Sequence, residues 1–245
     1  MPRPDAEEAV NRLKEMHLFI PFSSPIAIAS RRALFSAGAA MLFAAATFAF
    51  APSDARAQAP LKADVDVAEL MKTGELPDNV LGKPDAPFTI VEYSSMTCPH
   101  CAAFHKDVLP KLKEKYIDTG KAKYIVREFP LDNVAAAAFM LGRCVDQAKY
   151  FDFIDLLYAN QEEWAFKDNP IPGLQKFAKQ VGFTEERFNE CIKDEKLLKH
   201  IEWVRERGSK QFTVKATPTF FINGVKLKGV DLESFEKIMG TDGKS

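Results

Sequence analysis

Phe88-Thr89-Ile90-Val91-Glu92-Tyr93, a polar break over residues 94–97, then Cys98-Pro99-His100-Cys101: the reading of this stretch decides the fold. The first six residues are β-branched or aromatic and nearly continuous, as a strand buried on both faces should be. From Cys98 the period changes. Phe104, Val108, Leu112 and Tyr116 recur at every fourth position, on one face of a helix. A C-x-x-C pair at a strand-to-helix junction points to redox chemistry rather than to packing. Pro110 should kink this helix, because it has no N–H for the preceding turn. Gly120 ends it, and Tyr124-Ile125-Val126 reads as a second strand.

Beyond this βαβ unit, residues 133–207 read almost entirely as helices: Ala135 to Gln147, Tyr150 to Asn160, Leu174 to Val181, Glu185 to Cys191 and Lys196 to Arg207. Most of their aromatics, from Phe139 and Tyr150 to Trp164 and Phe188, are expected in the core. Strand character returns at Thr219 to Ile222. Asn223-Gly224 follows as a two-residue hairpin signal, then Val225 to Lys228 and a closing helix from Asp231 to Met239. Upstream, residues 58–86 contain Pro77 and Pro84, one short helical pattern near Val67 to Met71, and no legible strand. The order βαβ, helical block, ββα is that of an α/β thioredoxin fold with an inserted all-helical domain. The expected divisions are an N-terminal segment at 58–86, the thioredoxin-like domain at 87–130 and 208–240, and the inserted domain at 131–207.

With 33 Lys plus Arg against 34 Asp plus Glu, the net charge of the 245 residues is −1. Such a balance lacks the basic excess of a nucleic-acid binder. A composition 47% hydrophobic and 27% charged excludes disorder over most of the length. Arg31 and Arg32 precede an apolar run over residues 33–52, and Ala55-Arg56-Ala57 follows it. That layout predicts an export signal over residues 1–57, cleaved before Gln58. An uncleaved anchor is the alternative, since the run is near spanning length. Ser30-Arg31-Arg32 gives a weak twin-arginine hint, and Met16 is a candidate start. Export places the mature chain in an oxidising compartment, a bacterial periplasm, where paired thiols persist.

In the C-x-x-C motif, Cys98 stands at the helix N-terminus, where free N–H groups and the helix dipole stabilise a thiolate. Pro99 is tolerated in the first turn. Cys101 lies one turn deeper. Cys98 is therefore expected to be the exposed attacking thiol and Cys101 the buried resolving one, with His100 adding positive charge or a donor near the Cys98 sulfur. The rival reading is metal binding, but one C-x-x-C supplies only two of the four ligands that structural zinc takes. His105 is a possible third ligand, although on this helix a surface position is expected for it. A c-type haem site needs histidine directly after the second cysteine, where Ala102 stands. Neither a metal nor another cofactor is expected. Glu92, inside an apolar strand, must be paired or neutral: either a buried proton acceptor for Cys101, or an edge residue paired with a lysine. Thr217-Pro218 opens the third strand, and sequence leaves its isomer open, since only about one X-Pro bond in twenty is cis.

These residues resemble the DsbA-type thiol:disulfide oxidoreductases. The likeness is carried by Cys98-Pro99-His100-Cys101 after Val91-Glu92-Tyr93, by Arg127-Glu128-Phe129-Pro130, and by Thr217-Pro218-Thr219-Phe220-Phe221, and it extends over nearly all of residues 80–240. It implies a catalytic set of Cys98, Pro99, His100, Cys101, Glu92, Thr217 and Pro218. Glu92 would be the buried acid and Pro218 a cis-proline beside the sulfurs, exposing the Thr217 backbone to an extended peptide. Thr217 departs from the valine of well-known oxidases and matches several isomerases, so an isomerase or reductase is the alternative activity. The implied partners are exported proteins with free cysteines and a membrane quinone-linked, DsbB-like reoxidase. A monomer is expected, because residues 58–86 are short for the added oligomerisation segment of isomerases. Cys144 and Cys191, on helices of the inserted block, are either two buried thiols or, in an exported chain, a structural disulfide. Part of the resembled family carries such a bond.

Overall fold

The computed structural model describes residues 62–240, so the expected export signal lies outside the described residues. In chain order the elements are α1 (Val67–Leu70), β1 (Asn79–Leu81), β2 (Phe88–Ser94), α2 (Pro99–Asp107), α3 (Leu109–Leu112), a π-helical turn (Lys113–Ile117) and β3 (Ala122–Glu128). Next come α4 (Asn133–Cys144), α5 (Tyr150–Ala159), α6 (Gln161–Trp164), α7 (Ile171–Gln180), α8 (Glu185–Ile192) and α9 (Glu195–Gln211). The chain closes with β4 (Thr219–Ile222), β5 (Val225–Lys226) and α10 (Leu232–Met239). No helix of the described residues is long and apolar enough to cross a membrane.

The five strands form one mixed sheet in the order β1-β3-β2-β4-β5. β2 lies at its centre, parallel to β3 and antiparallel to β4. Both faces of β2 are covered, which accounts for its unbroken apolar run. Ile90, with Tyr124, Phe220 and Ile222 of neighbouring strands, packs into a large core shared with Phe104 of α2 and with Leu157, Leu174 and Phe188 of the helical block. Val91 and Tyr93 point the other way, against Val204, Phe212 and Phe221. Because side chains alternate along a strand, Glu92 and Ser94 share the face of Ile90 and look toward α2.

The helix expected from Cys98 to Tyr116 is broken rather than kinked. α2 stops at Val108, and α3 starts again with Pro110 in its first turn. Pro110 cannot donate to the carbonyl of Lys106, which ends the first ladder. A second departure is β1, a strand antiparallel to β3 within a segment where none was legible. Three residues between prolines are too few to show a period. Side chains rather than pattern hold this segment. Arg127 bonds Asp78 at 2.8 Å and donates to the Leu70 carbonyl at 2.5 Å, while Arg143 donates to the Pro77 carbonyl at 2.6 Å.

Asn223 and Gly224, at φ 47° and 83°, make the two-residue turn between β4 and β5. α9 runs on to Gln211, across the expected division at residue 207. Its Leu197 and Ile201 join the large core, and its Val204 joins the core on the far face of the sheet. Of the aromatics expected in the core, Phe139, Tyr150, Phe153, Trp164, Phe177, Phe183 and Phe188 are buried, and Phe151 is half-buried. Cys144 at the end of α4 is bonded to Cys191 of α8, 47 positions further on.

Candidate active site

Cys98 is the N-cap of α2, and Pro99 occupies the first turn, where its missing N–H costs no hydrogen bond. The loop entering this cap is held from three sides. Cys98 N–H donates to the Ser95 carbonyl at 3.0 Å. Thr97 Oγ1 donates to Asp132 at 2.6 Å, and the other oxygen of the same carboxylate caps α4 through the Ala135 N–H. Gln161 of α6 donates to the carbonyls of Met96 and Cys98 at 2.8 and 3.1 Å.

Facing Cys98 is the start of β4. The Thr217–Pro218 peptide is cis, and Cys98 Sγ donates to the Thr217 carbonyl at 3.3 Å. Thr217 is buried, and its hydroxyl has no partner among the described residues. The structure thus brings Cys98, Cys101 and Thr217-Pro218 together. Pro99 and His100 are exposed beside them. Cys98 itself is only 5% exposed, which corrects the expectation of an open thiol: the cis-proline segment covers it.

The two thiols are driven in opposite directions. Hydrogen bonding from the Cys101 thiol, and from the backbone N–H groups of Cys101 and His100, brings Cys98 down to about 5 against the opposing effect of burial. His100 thus acts on the sulfur through its backbone amide. Burial, the Cys98 sulfur and the charge of Glu92 together push Cys101 far above the ordinary thiol range.

Glu92 is fully buried, so the edge position with a lysine partner does not occur. Ser94 Oγ donates to Glu92 Oε1 at 2.6 Å and contacts the Tyr158 hydroxyl at 2.7 Å, while the Tyr124 hydroxyl donates to Glu92 Oε2. His105 completes the cluster, with Nε2 3.3 Å from Glu92 Oε2 and Nδ1 2.7 Å from Asp155 Oδ1. It is 6% exposed, not a surface residue. With both ring nitrogens facing carboxylates, His105 is not placed as a third ligand beside the cysteines. Among the described residues, no group of three or more His, Cys, Asp or Glu is arranged to hold a metal ion.

Sequence reasoning missed Ser94, Tyr124, Tyr158, Asp155 and Gln161 as parts of this site. A signal was present for His105, which follows Cys101 by one helical turn and so shares its face.

A central β2 leading into a helix that begins at a cysteine pair, with a cis-proline opposite, defines the thioredoxin-fold dithiol proteins as a class. A family model described as Thioredoxin matches residues 75–240. The chain belongs to that family, in its DsbA-type branch. The crystal structure of Wolbachia pipientis alpha-DsbA1 is similar at 34% identity and a TM-score of 0.66, covering 71% of this chain and 95% of that one. Oxidised BdbD from Bacillus subtilis is similar at 25% identity and a TM-score of 0.62, covering 69% and 94%. A Rickettsia bellii protein described as a protein-disulfide oxidoreductase is 34% identical over 163 residues, 64% of this chain. The chain spans 61% of that relative's length.

Proposed function

We propose that the chain is a thiol oxidant that hands the Cys98–Cys101 disulfide to exported proteins bearing free cysteines. The observation that carries this reading is the placement of Cys98 at the N-cap of α2, against the Thr217 carbonyl and with a fully buried Cys101 beneath it, an arrangement that lowers Cys98 to about 5. Only the dithiol form contains the thiolate, so stabilising it favours reduction of the pair and makes the disulfide more oxidising. Each pKa unit below ambient pH adds about 30 mV. From pH 7 down to a pKa of about 5, the gain is on the order of 60 mV.

In the exchange, a substrate thiolate attacks Cys98 Sγ. The Cys98–Cys101 bond breaks, and its electron pair goes to Cys101 Sγ, which takes a proton. A second substrate thiolate attacks the substrate sulfur of the mixed disulfide, and Cys98 leaves as the stabilised thiolate. The substrate dithiol is oxidised and the Cys98–Cys101 pair is reduced. Glu92, the buried acid that raises Cys101, is its proton partner. A quinone-linked membrane protein of the DsbB kind reoxidises the pair, and residues 1–57 direct export to the periplasm.

Equilibration with glutathione tests the reading. An oxidant lies near about −120 mV and a reductant near about −270 mV. A value at the reducing end would overturn the proposal. Thr217 favours a second reading, an isomerase, because its unpartnered buried hydroxyl adjoins the carbonyl that contacts Cys98. Repair of scrambled disulfides without oxidation of a dithiol peptide is the result that would select it.

A further inference from the structure

Each time the Cys98–Cys101 bond opens, one proton must reach Cys101, and Cys101 is fully buried. So is Glu92. Neither meets water. His105 bridges that gap: Nε2 faces Glu92 at 3.3 Å, and Nδ1 faces Asp155 at 2.7 Å. The Asp155 side chain is 50% exposed. At the inner end, Ser94 Oγ donates to Glu92 at 2.6 Å and lies in hydrogen-bonding reach of Cys101.

We propose that Asp155 and His105 form the route by which protons pass between solvent and Glu92 during thiol exchange. This rests on the reading of Glu92 as the proton partner of Cys101. The Glu92 carboxylate takes the Nε2 proton of His105 and, with the Ser94 hydroxyl between them, gives one to Cys101 as Cys101 leaves as a thiolate. The neutral ring keeps its Nδ1 proton; by turning over it brings the bare nitrogen to the Asp155 side, where water returns the proton. One proton moves inward, no group on the route is oxidised or reduced, and reoxidation runs the sequence backwards.

The geometry separates this role from simple neutralisation of Glu92. Neutralisation needs one ring nitrogen on one carboxylate. Here the second nitrogen holds a second carboxylate that reaches into solvent, and imidazole accepts at one nitrogen while releasing at the other. The two phenols beside His105 are buried and open no second way to solvent. Tyr124 of β3 has its hydroxyl 3.4 Å from Nε2, and the Tyr158 ring of α5 lies 4.2 Å from the imidazole between centroids. Burial and the charge of Glu92 lift both phenols well above their ordinary range, so they remain hydrogen-bond donors. Burial opposes charge on His105, but Glu92 and Asp155 outweigh it and raise it to about 9, so it carries a proton at neutral pH.

Two substitutions at the half-exposed end test the route on the full chain: Asp155→Asn, which keeps an acceptor for Nδ1 but carries no proton, and Asp155→Ala, which opens a space. The readouts are the rate at which a dithiol peptide reduces the oxidised protein in dilute buffer, and the equilibrium constant with glutathione. The expected result is a rate about tenfold lower for both variants, at the low end of what a positioned proton carrier supplies, with equilibrium constants within about twofold of wild type. Added formate should restore the rate of Asp155→Ala and leave Asp155→Asn slow. Unchanged rates in both variants would overturn the route, as would slowing matched by the equilibrium shift or slowing that formate does not relieve. A wild-type protein unable to oxidise the peptide would overturn the proposed activity and the route together. An active wild type with unaffected variants overturns the route alone.

Discussion

Removing the Cys101 thiol should be felt first at Cys98. The largest influence lowering Cys98 is the hydrogen bond from Cys101. In reduced protein the thiolate absorbance should titrate near pH 5, and Cys101→Ala should raise that midpoint. Cys101→Ser, which keeps an O–H donor, should raise it less. Equal midpoints in all three proteins would show that the cap alone sets the thiol. His105 makes the second prediction. Its raised position in the folded protein, about 9 against 6.5, means that its stabilisation is complete below about pH 6.5 and is lost as pH rises through about 9. Urea unfolding of the oxidised protein, in which the two site thiols do not titrate, should show stability falling across that window. His105→Gln should flatten the fall and lower stability at neutral pH by about 3–5 kcal/mol, because Glu92 is left buried without its cation. Glu92 was legible in the sequence because a carboxylate inside an apolar strand stands out. The spacing from Cys101 put His105 on the same helix face, but its role was not legible, since that depends on Asp155, which lies on a different helix and comes close only in the fold.

Among the elements, the elongated helix α9 has one position that tolerates no side chain. A Cβ on Gly208 would lie 2.7 Å from Tyr93 Cε1, and Tyr93 is fully buried with Phe129, Phe212 and Phe221 around it. Alanine would gain about 1 kcal/mol of helix propensity but would overpack a ring with no room to yield, at about 1–3 kcal/mol. The collision should win, so Gly208→Ala should lower the melting temperature. A rise would mean that the ring can shift. At this scale the sequence read well where period and turn chemistry are strong, as in β2, the Asn223-Gly224 hairpin and α10. It read poorly at β1, whose three residues are held by Arg127 and Arg143 and by pairing with a distant strand. Arg127-Glu128 was legible as part of a family likeness. That Arg127 holds Asp78 and Glu128 holds Arg143 as buried ion pairs follows only from the packing.

Across the whole molecule, the Cys144–Cys191 bond closes a loop spanning 47 positions between α4 and α8. In the chain-entropy account, a loop of this size stabilises by about 4 kcal/mol. The double Cys→Ser variant should lose stability on that order in denaturant, while the Cys98 thiol still titrates near 5. A shifted titration would show that the bond also shapes the site. The core of the helical block is continuous with that of the sheet, and α9 runs through both. At 1.5 Å per residue its 17 residues span about 25 Å. Leu197 and Ile201 are gripped at one end, and Val204 and Gly208 at the other. Mechanically this is an axle fixed in two wheels. A pivot of the block over the sheet would have to bend this helix or draw one of its ends out of its packing. Under the proposed function, a partner thiol would reach Cys98 from the side where Pro99 and His100 stand open.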